Sequence, residues 1–263
     1  MMKNLTKTFL GAASLVALFA GNAYADDGIL GPDFSVSAAV AMQSDYRFRG
    51  ISQNNKEVTP EATLNVSGPE GFYAGTWWAK TDWGVLRPSG GANNPSMEAD
   101  FYAGKHTDLW GTDLNVEAYY YAYPDYHSGA VPNASFFEMI TQLSHTFGPV
   151  SVTGTWAYSP QFSLDGGTGN YLAGNVTVPV NDWLSVSANV GHQWVQAAKF
   201  AGSSDYTHAD FGATLTYKSL SLDLRYVTTD LNKTSCGFYM GTTNACSGGF
   251  VGLLTYSVSS WPW

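Results

Sequence analysis

Hydrophobic and polar side chains alternate with a period of two along most of the chain. In the stretch 184–191, Leu, Val and Ala occupy the even positions, while Ser, Asn and Gly occupy the odd positions. The stretch 220–226 repeats the pattern, with Leu and Tyr on one face and Ser, Asp223 and Arg225 on the other. Successive side chains of a β-strand point to opposite faces, so each segment is predicted to be a strand between an apolar and a wet environment.

About twelve segments of this kind follow one another along the chain. They are predicted to start near Phe34, Pro60, Phe72, Met97, Leu114, Asn133, Val150, Tyr171, Trp183, Thr207, Leu220 and Gly249. The sequence shows no repeat at solenoid spacing, no helical heptad and no linker. A single domain therefore accounts for the pattern.

The connections between these segments alternate in length. Short ones lie at 68–71, 107–113, 147–149, 179–182 and 218–219, and longer Gly/Asn/Pro-rich ones near 50–58, 81–96, 124–132, 160–170, 195–206 and 230–247. In an up-and-down meander every second connection lies at the same end, so short turns and long loops separate. This asymmetry predicts an all-β fold, an up-and-down antiparallel transmembrane β-barrel of about twelve strands, closed because an open edge in lipid leaves backbone groups unsatisfied.

The alternative architecture is a soluble β-sandwich or jelly roll, which also alternates. Small outward residues such as Ala38, Ala118 and Ala213, and the lack of charge on one face of nearly every strand, favour the barrel.

Aromatic side chains crowd the predicted strand ends, which is typical of the two girdles of a membrane barrel. Beside the long loops we expect Trp77, Trp78, Tyr119 to Tyr121, Tyr123, Trp156, Tyr158, Trp194 and Tyr226, and beside the short turns Phe72, Trp110, Phe147 and Trp183. In a soluble sandwich the same rings would be core residues.

The N-terminus has the features of a secretory signal peptide. Lys3 and Lys7 precede the apolar run 9–20, and the small-residue box 23–25 follows it. We expect cleavage after Ala25, a mature domain of residues 26–263 and a location in the bacterial outer membrane, reached through the barrel-assembly machinery. The formal net charge of −9 makes nucleic acid an unfavourable partner.

Cys236 and Cys246 are the two cysteines of the chain and lie in a Gly/Thr/Asn-rich loop. In an oxidising compartment this pair predicts one disulfide. The spacing does not match a redox or metal motif, so the expected role is to staple a long loop.

The stretch 44–53, "SDYRFRGISQ", holds two of the four arginines of the chain. If even positions of the first strand face lipid, Tyr46 and Phe48 join the aromatic girdle while Arg47 and Arg49 point inward at the barrel mouth. A bridge from one of these arginines to Glu61 on the next strand is then expected.

The alternation of odd and even positions within each strand likewise predicts which charged side chains line the lumen. Besides Arg47 and Arg49, they are Glu61, Glu98, Asp100, Glu117, Glu138, Asp210, Asp223 and Arg225. Seven acids on the strands predict a negative lumen that favours cations. The alternative is that each acid is paired locally or merely hydrated.

Catalytic and metal-binding motifs are not evident in the sequence. The histidines are His106, His127, His145, His192 and His208, and none lies in a Gly-x-Ser-x-Gly or His-Glu-x-x-His arrangement. His145 and His208 lie near strand ends, where an interfacial hydrogen-bonding role is expected. We therefore expect neither an enzyme nor a cofactor.

Three motifs carry a family resemblance: "SDYRFRGISQ" at 44–53, "GPEGFYAGTWWA" at 68–79 and "SMEADFYAGK" at 96–105. In these motifs the chain resembles the proteobacterial Gcw_chp family, also called the TorF family. The resemblance implies a small exported porin-like barrel that passes small solutes or ions across outer-membrane lipid. The alternative is a non-conducting barrel whose extracellular loops bind a ligand or partner. Trp263 supplies the terminal aromatic usual in such barrels, although Pro262 interrupts the last alternation.

Overall fold

The computed structural model describes residues 33–83, 94–127, 133–196, 205–240 and 242–259. The predicted signal peptide, 1–25, and the terminal Trp263 lie outside the described residues. The predicted boundary of the mature domain therefore stays a prediction.

Fourteen strands are described, of which twelve form the wall of a closed barrel. The wall strands are β1 (Ser35–Gln43), β4 (Thr59–Ser67), β5 (Phe72–Lys80), β6 (Met97–Leu109), β7 (Thr112–Ala122), β8 (Phe136–Phe147), β9 (Val150–Ser159), β10 (Gly169–Pro179), β11 (Leu184–Val195), β12 (Tyr206–Tyr217), β13 (Leu220–Thr229) and β14 (Gly249–Ser259). Each predicted strand start lies within three residues of an observed one.

The other two strands, β2 (Arg47–Phe48) and β3 (Ile51–Ser52), form a separate two-stranded sheet inside the first long connection. The described helical elements are a short 3-10 turn, Pro69–Gly71, and α1 (Lys233–Met240). Among the described residues, no helix combines the length and apolar character needed to cross a membrane.

Every wall strand pairs antiparallel with its neighbours, and β1 closes the barrel by pairing with both β4 and β14. Closure satisfies the backbone groups that an open sheet edge would leave unpaired in lipid. The predicted all-β, up-and-down, twelve-stranded barrel is confirmed.

The connections separate by length as predicted. At one end, the short-turn end, two-residue turns such as Trp110–Gly111 join β6 to β7, with φ of 55° and 85°, the left-handed values of a tight hairpin turn. The longer connections leave the wall strands at the opposite end, the long-loop end.

The outer surface of the wall is apolar. Val40, Leu143, Leu172, Phe211 and Leu254 each leave about half or more of their side chain exposed, and they come from strands all around the barrel. A continuous apolar outer face on a closed barrel is that of a lipid-facing wall. The outward register predicted for β1 is confirmed by the exposure of Val40 and Met42.

Both aromatic girdles are present, but the predicted long-loop girdle included wrong members. Trp78, Trp156 and Trp194 are exposed on the outside at that end, and Phe72, Trp110, Phe147 and Trp183 are exposed near the short turns. In contrast, Trp77, Tyr119, Tyr121 and Tyr123 are buried inside the barrel. They occupy the opposite parity to their exposed neighbours Trp78 and Tyr120, so clustering at a strand end did not distinguish the two faces.

Cys236 on α1 and Cys246 in the following loop are joined by a disulfide, with a Cα–Cα distance of 5.8 Å. Both side chains are buried. The bond closes the last long loop at the long-loop end.

Candidate functional site

The first long loop turns into the barrel lumen. After Gln43 the chain leaves the wall, and residues 44–58, here called the inward hairpin, carry β2 and β3 inside. Ile51, Ser52 and Asn54 are almost fully buried. Backbone hydrogen bonds from Ser52 N–H to the Ala245 carbonyl and from Asp82 N–H to the Gln53 carbonyl tie the hairpin to two other long loops.

A tight turn at the tip of the hairpin makes this path possible. Arg49 and Gly50 both have positive φ, 46° and 87°, which is the backbone of a two-residue turn between antiparallel strands. Gly50 also lies against β12 and β13, because a Cβ there would meet His208 Cβ and Thr229 Cγ2 at 2.7 Å. Glycine is therefore required at this position for both its φ and its lack of a side chain.

Arg49 reaches across the lumen to β8, five strands from β1 around the ring. Its guanidinium donates to both carboxylate oxygens of Glu138, at 3.0 and 2.6 Å, and also to Gln193 Oε1. The group lies 4.0 Å from the ring centre of Tyr171. Burial alone lowers the pKa of Arg49, but the Glu138 carboxylate outweighs burial and raises that pKa above its ordinary value. Arg49 is therefore a charged side chain that links the hairpin to the opposite wall.

The predicted bridge from Arg47 or Arg49 to Glu61 is wrong. Arg49 pairs with Glu138, and Arg47 pairs with Asp45 at 2.6 Å while donating to the Ser247 carbonyl. The prediction assumed that β1 continues to residue 49 along the wall. The strand instead ends at Gln43, so the arginines meet partners on the far wall and in the loops.

Tyr46 and Phe48 lie in the lumen, so their predicted place against lipid is also wrong. Tyr46 packs on Trp77 with ring centres 5.0 Å apart, and Phe48 packs edge-on against Tyr121 at 5.4 Å. Burial, reinforced by the neighbouring Glu98 carboxylate, raises the pKa of the Tyr46 hydroxyl well above its ordinary range. Tyr46 therefore remains a donor, and it hydrogen-bonds Glu98 at 3.2 Å.

The seven predicted lumen acids all lie on buried, inward positions of their strands. Three of them have guanidinium partners: Glu138 binds Arg49, while Asp210 and Asp223 both bind Arg225. For these three acids the alternative interpretation, in which a basic side chain pairs with each acid, is the one observed.

The other four acids, Glu61, Glu98, Asp100 and Glu117, form no ion pair with any described residue. Aromatic side chains hydrogen-bond them instead. The hydroxyl of Tyr119 donates to Asp100 at 2.8 Å, that of Tyr73 donates to Glu117 at 2.7 Å, and Trp77 bonds Glu61. These four acids therefore have aromatic hydrogen-bond donors and no basic partner among the described residues.

The lumen differs between its two ends. Near the long loops it is packed with the hairpin and with buried rings such as Tyr121, Phe136 and Tyr171. Towards the short turns the inward side chains are small, polar and partly exposed: Ser144, Thr146, Thr153, Thr155, Thr177, Ser185, Ser187 and Ser221. The short-turn end of the lumen is therefore lined by hydroxyl groups, and the long-loop end is filled by the hairpin and buried rings.

The histidines do not assemble a catalytic group among the described residues. His208 is buried and bonds the Tyr171 hydroxyl at 2.8 Å, so its predicted interfacial place is wrong, whereas His145 bonds Thr112 on the outer face at 3.0 Å. No group of three His, Cys, Asp or Glu side chains in the described ranges is placed to hold a metal ion.

Sequence reasoning missed the residues of β10, β11 and β12 against which the hairpin packs, which are Tyr171, Gln193 and His208. These residues follow the ordinary inward parity of β10, β11 and β12 and carry no motif. The concentration of charge in residues 44–53 was the one sequence signal for the hairpin. It did not indicate that the hairpin turns into the lumen.

Comparison with solved structures finds similar barrels at very low identity. The chain resembles an outer membrane channel from Pseudomonas putida F1 at 10% identity, with 86% of this chain and 95% of that chain covered and a TM-score of 0.49. It also resembles Salmonella typhi OmpF in complex with daunomycin (8% identity, 86% and 97% covered, TM-score 0.46) and LpxR from Salmonella typhimurium (11%, 84% and 99%, 0.46).

No curated protein matches the chain. The model of one family does match, over residues 30–251, which is most of the chain and includes the inward hairpin and all the lumen acids. By that match the chain belongs to the family described as bacterial protein of unknown function (Gcw_chp).

Proposed function

We propose that this protein is a narrow outer-membrane channel for small hydrophilic solutes, with a preference for cations. The observation that carries the proposal is the set of four lumen carboxylates, Glu61, Glu98, Asp100 and Glu117, without a cationic partner in the described structure. Carboxylates around a pore lower the barrier for positive ions and raise it for anions. Family membership, the closed barrel and the apolar outer wall support a location in the outer membrane.

The inward hairpin sets the width of the channel in this proposal. It fills much of the long-loop end and is held on the far wall by Arg49 and Glu138. Tyr46 of the hairpin packs on Trp77 and hydrogen-bonds Glu98, so the hairpin leaves little room beside the acids. We therefore expect a small conductance compared with that of an empty barrel of twelve strands.

Planar bilayer recording of the purified full chain tests both the channel and its preference for cations. We expect discrete channels, and a reversal potential in a salt gradient that favours cations. The triple variant Glu61→Gln, Glu98→Gln, Asp100→Asn should reduce this preference. Glu57→Gln removes one exposed charge from the hairpin and serves as the control. An unchanged reversal potential in the triple variant contradicts the assignment of these acids as the selectivity element.

A second function, a non-conducting barrel whose long loops bind a partner, rests on the close packing of the long-loop end. Tyr121, Tyr171 and Gln193 are almost completely buried there. In that case purified protein inserted into bilayers gives no channels at high protein load, although its heat-dependent gel mobility shows a folded barrel.

A further inference from the structure

The outer, lipid-facing surface of the wall carries a groove that crosses β10 to β14. We call it the outer groove. Its volume is about 770 Å³, within the range of roughly 300 to 1,000 Å³ that is typical of ligand pockets. The small outward residues Ala188, Ala213 and Gly252 lie in its lining.

The groove follows from the sizes of side chains in two neighbouring rows of the sheet. Phe211, Tyr226 and Phe250 are level with one another, and their ring centres are 5.9 and 5.2 Å apart. The next row towards the short turns consists of Ala213, Leu224 and Gly252. Two of its three side chains are a methyl group and a hydrogen atom, so the surface falls away beside the rings.

An acyl chain is the occupant that suits this groove. The outward side chains of the lining are Val, Ala, Leu, Phe and Tyr, and none of them carries a charge. A flexible hydrocarbon chain can follow the recess and contact its walls. A second copy of the barrel in a two-fold pair would instead place the same recess opposite itself and leave a void.

The outward face of β12 leads from the groove to a lysine at the short-turn end. Outward positions continue from Ala213 through Leu215 and Tyr217, and Lys218 follows in the turn before β13. The five steps from Ala213 to Lys218 span about 17 Å of strand, which a tilt of about 40° reduces to about 13 Å of depth. One leaflet of hydrocarbon is about 15 Å deep, half of a core of roughly 30 Å. The groove therefore lies at the level reached by the end of an acyl chain whose head group is beside Lys218.

Lys218 is available to a phosphate group. Its Nζ lies 5.4 Å from the ring centre of Tyr217, and it forms no ion pair with any described residue. Asp182 lies in the neighbouring turn, which is tied to β12 by a hydrogen bond of 2.9 Å from Thr216 N–H to the Trp183 carbonyl. This end of the wall therefore offers one basic and one acidic group, which complement the phosphate and the ammonium of phosphatidylethanolamine.

From this arrangement we propose that the outer groove binds one acyl chain of a phosphatidylethanolamine, with the lipid phosphate at Lys218. The short turns of outer-membrane barrels face the periplasm, so the lipid belongs to the periplasmic leaflet. The inference goes beyond the proposed channel. It requires a barrel that spans the membrane, and it applies equally to a conducting and a closed lumen.

Native mass spectrometry of the detergent-folded full chain tests the groove. The protein is titrated with palmitoyl-oleoyl phosphatidylethanolamine and with the diacylglycerol that has the same two chains. We expect one phosphatidylethanolamine to remain bound under conditions that remove all others, and weaker binding of the diacylglycerol. Gly252→Phe, or Ala213→Phe as a second variant, fills the groove and should weaken binding of both lipids at least tenfold.

Gly154→Phe is the matched control for the groove, because Gly154 is an outward glycine of β9. A Cβ at Gly154 meets nothing within 4 Å, and a Cβ at Gly252 meets Leu224 Cδ2 at an ordinary contact distance of 3.4 Å. Both substitutions therefore add a ring to the outer face without a clash of the Cβ. We expect Gly154→Phe to bind both lipids as the wild type does.

The role of Lys218 is tested separately. Lys218→Gln should weaken phosphatidylethanolamine binding roughly fivefold, the effect of one lysine near a lipid surface, and should leave diacylglycerol binding unchanged. Lys105→Gln is the control, since Lys105 Nζ lies 4.4 Å from the ring centre of Phe72 at the same end but on β6, away from the groove. It should leave the binding of both lipids unchanged. Heat-dependent gel mobility verifies that each variant is folded.

Three results would overturn the inference. The first is a folded Gly252→Phe or Ala213→Phe protein that retains phosphatidylethanolamine as the wild type does, and the second is an equal loss in Gly154→Phe. The third is a lipid-free dimer that Gly252→Phe dissociates, which assigns the groove to a second copy of the chain. Equal effects of Lys218→Gln and Lys105→Gln contradict the position of the phosphate.

Discussion

Arg49, at the tip of the inward hairpin, forms a two-pronged ion pair with Glu138 on the opposite wall of the barrel, with contacts of 3.0 and 2.6 Å. Both side chains are almost completely buried. The pair joins the first long loop to β8, 89 residues later in the chain. The hairpin is therefore held at its base by its chain connections to β1 and β4, and at its tip by Arg49.

Removing Arg49 should release the hairpin and leave a buried charge on Glu138. Breaking one side of a buried pair costs about 3 kcal/mol. We therefore expect Arg49→Ala to lower the free energy of unfolding in urea by about that amount and to increase single-channel conductance.

The double variant Arg49→Ala, Glu138→Gln separates the two effects. It removes the orphaned charge as well, so its stability should lie above that of Arg49→Ala, while its conductance stays high. A double variant as unstable as Arg49→Ala would mean that packing of the Arg49 side chain, and not the ion pair, holds the hairpin.

Gly50 allows a second test of docking, with a matched control elsewhere in the chain. Gly50→Ala and Gly111→Ala both place a side chain at positive φ, 87° and 85°, at a cost of about 1 kcal/mol. Gly50→Ala adds a clash at 2.7 Å with His208 and Thr229, whereas a Cβ at Gly111 meets nothing within 4 Å.

We therefore expect Gly50→Ala to raise conductance and lower stability by a further 1 to 3 kcal/mol, about the cost of overpacking, while Gly111→Ala shows the smaller loss alone. Bilayer recording and urea unfolding measure the two quantities. Equal behaviour of both variants would argue against close docking of the tip on β12 and β13.

The barrel itself could be predicted from the sequence because its determinants are local. Parity fixes which face of each strand is apolar, and connection length fixes which end each loop occupies, so even the predicted start near Asn133 was three residues from the observed Phe136. The inward positions of Glu138 and Asp210 followed from the same parity.

The hairpin could not be predicted in this way. Parity applies only while the chain stays in the wall, and no periodic signal marks its departure after Gln43. Tyr46, Phe48 and Arg49 were therefore assigned by extending a strand that had ended. The contacts of Arg49 with Glu138 and Gln193 link residues 89 and 144 positions apart, and nothing local encodes them.

Arg225 should act as the internal counter-charge on the other side of the lumen. It binds both Asp210 and Asp223, with its Nη2 2.8 Å from Asp223 Oδ2. Arg225→Gln leaves two buried carboxylates unpaired, so we expect a loss of about 3 kcal/mol of unfolding free energy and a reversal potential shifted further towards cations. The triple variant Arg225→Gln, Asp210→Asn, Asp223→Asn removes the orphaned charges and should return the selectivity close to that of the wild type. A reversal potential insensitive to Arg225→Gln would place these groups away from the ion path.

The disulfide between Cys236 and Cys246 should control the hairpin and not the barrel. It closes a loop that contacts the hairpin at the long-loop end, because Ser52 N–H bonds the Ala245 carbonyl and Arg47 donates to the Ser247 carbonyl. Both cysteines lie outside the wall strands, so their loss leaves every strand pairing intact.

Reduction with dithiothreitol should therefore leave the folded band in heat-dependent gel mobility unchanged, while opening fluctuations and current noise increase in bilayer recordings. The variant Cys236→Ser, Cys246→Ser should show the same noise without reductant and no response to dithiothreitol. A short covalent loop of this kind restricts the unlinked chain by roughly 2 to 3 kcal/mol, enough to shift the docking equilibrium of a loop by one to two orders of magnitude. If the reduced wild-type channel is as quiet as the oxidised one, Arg49 and Gly50 hold the hairpin without help from this loop.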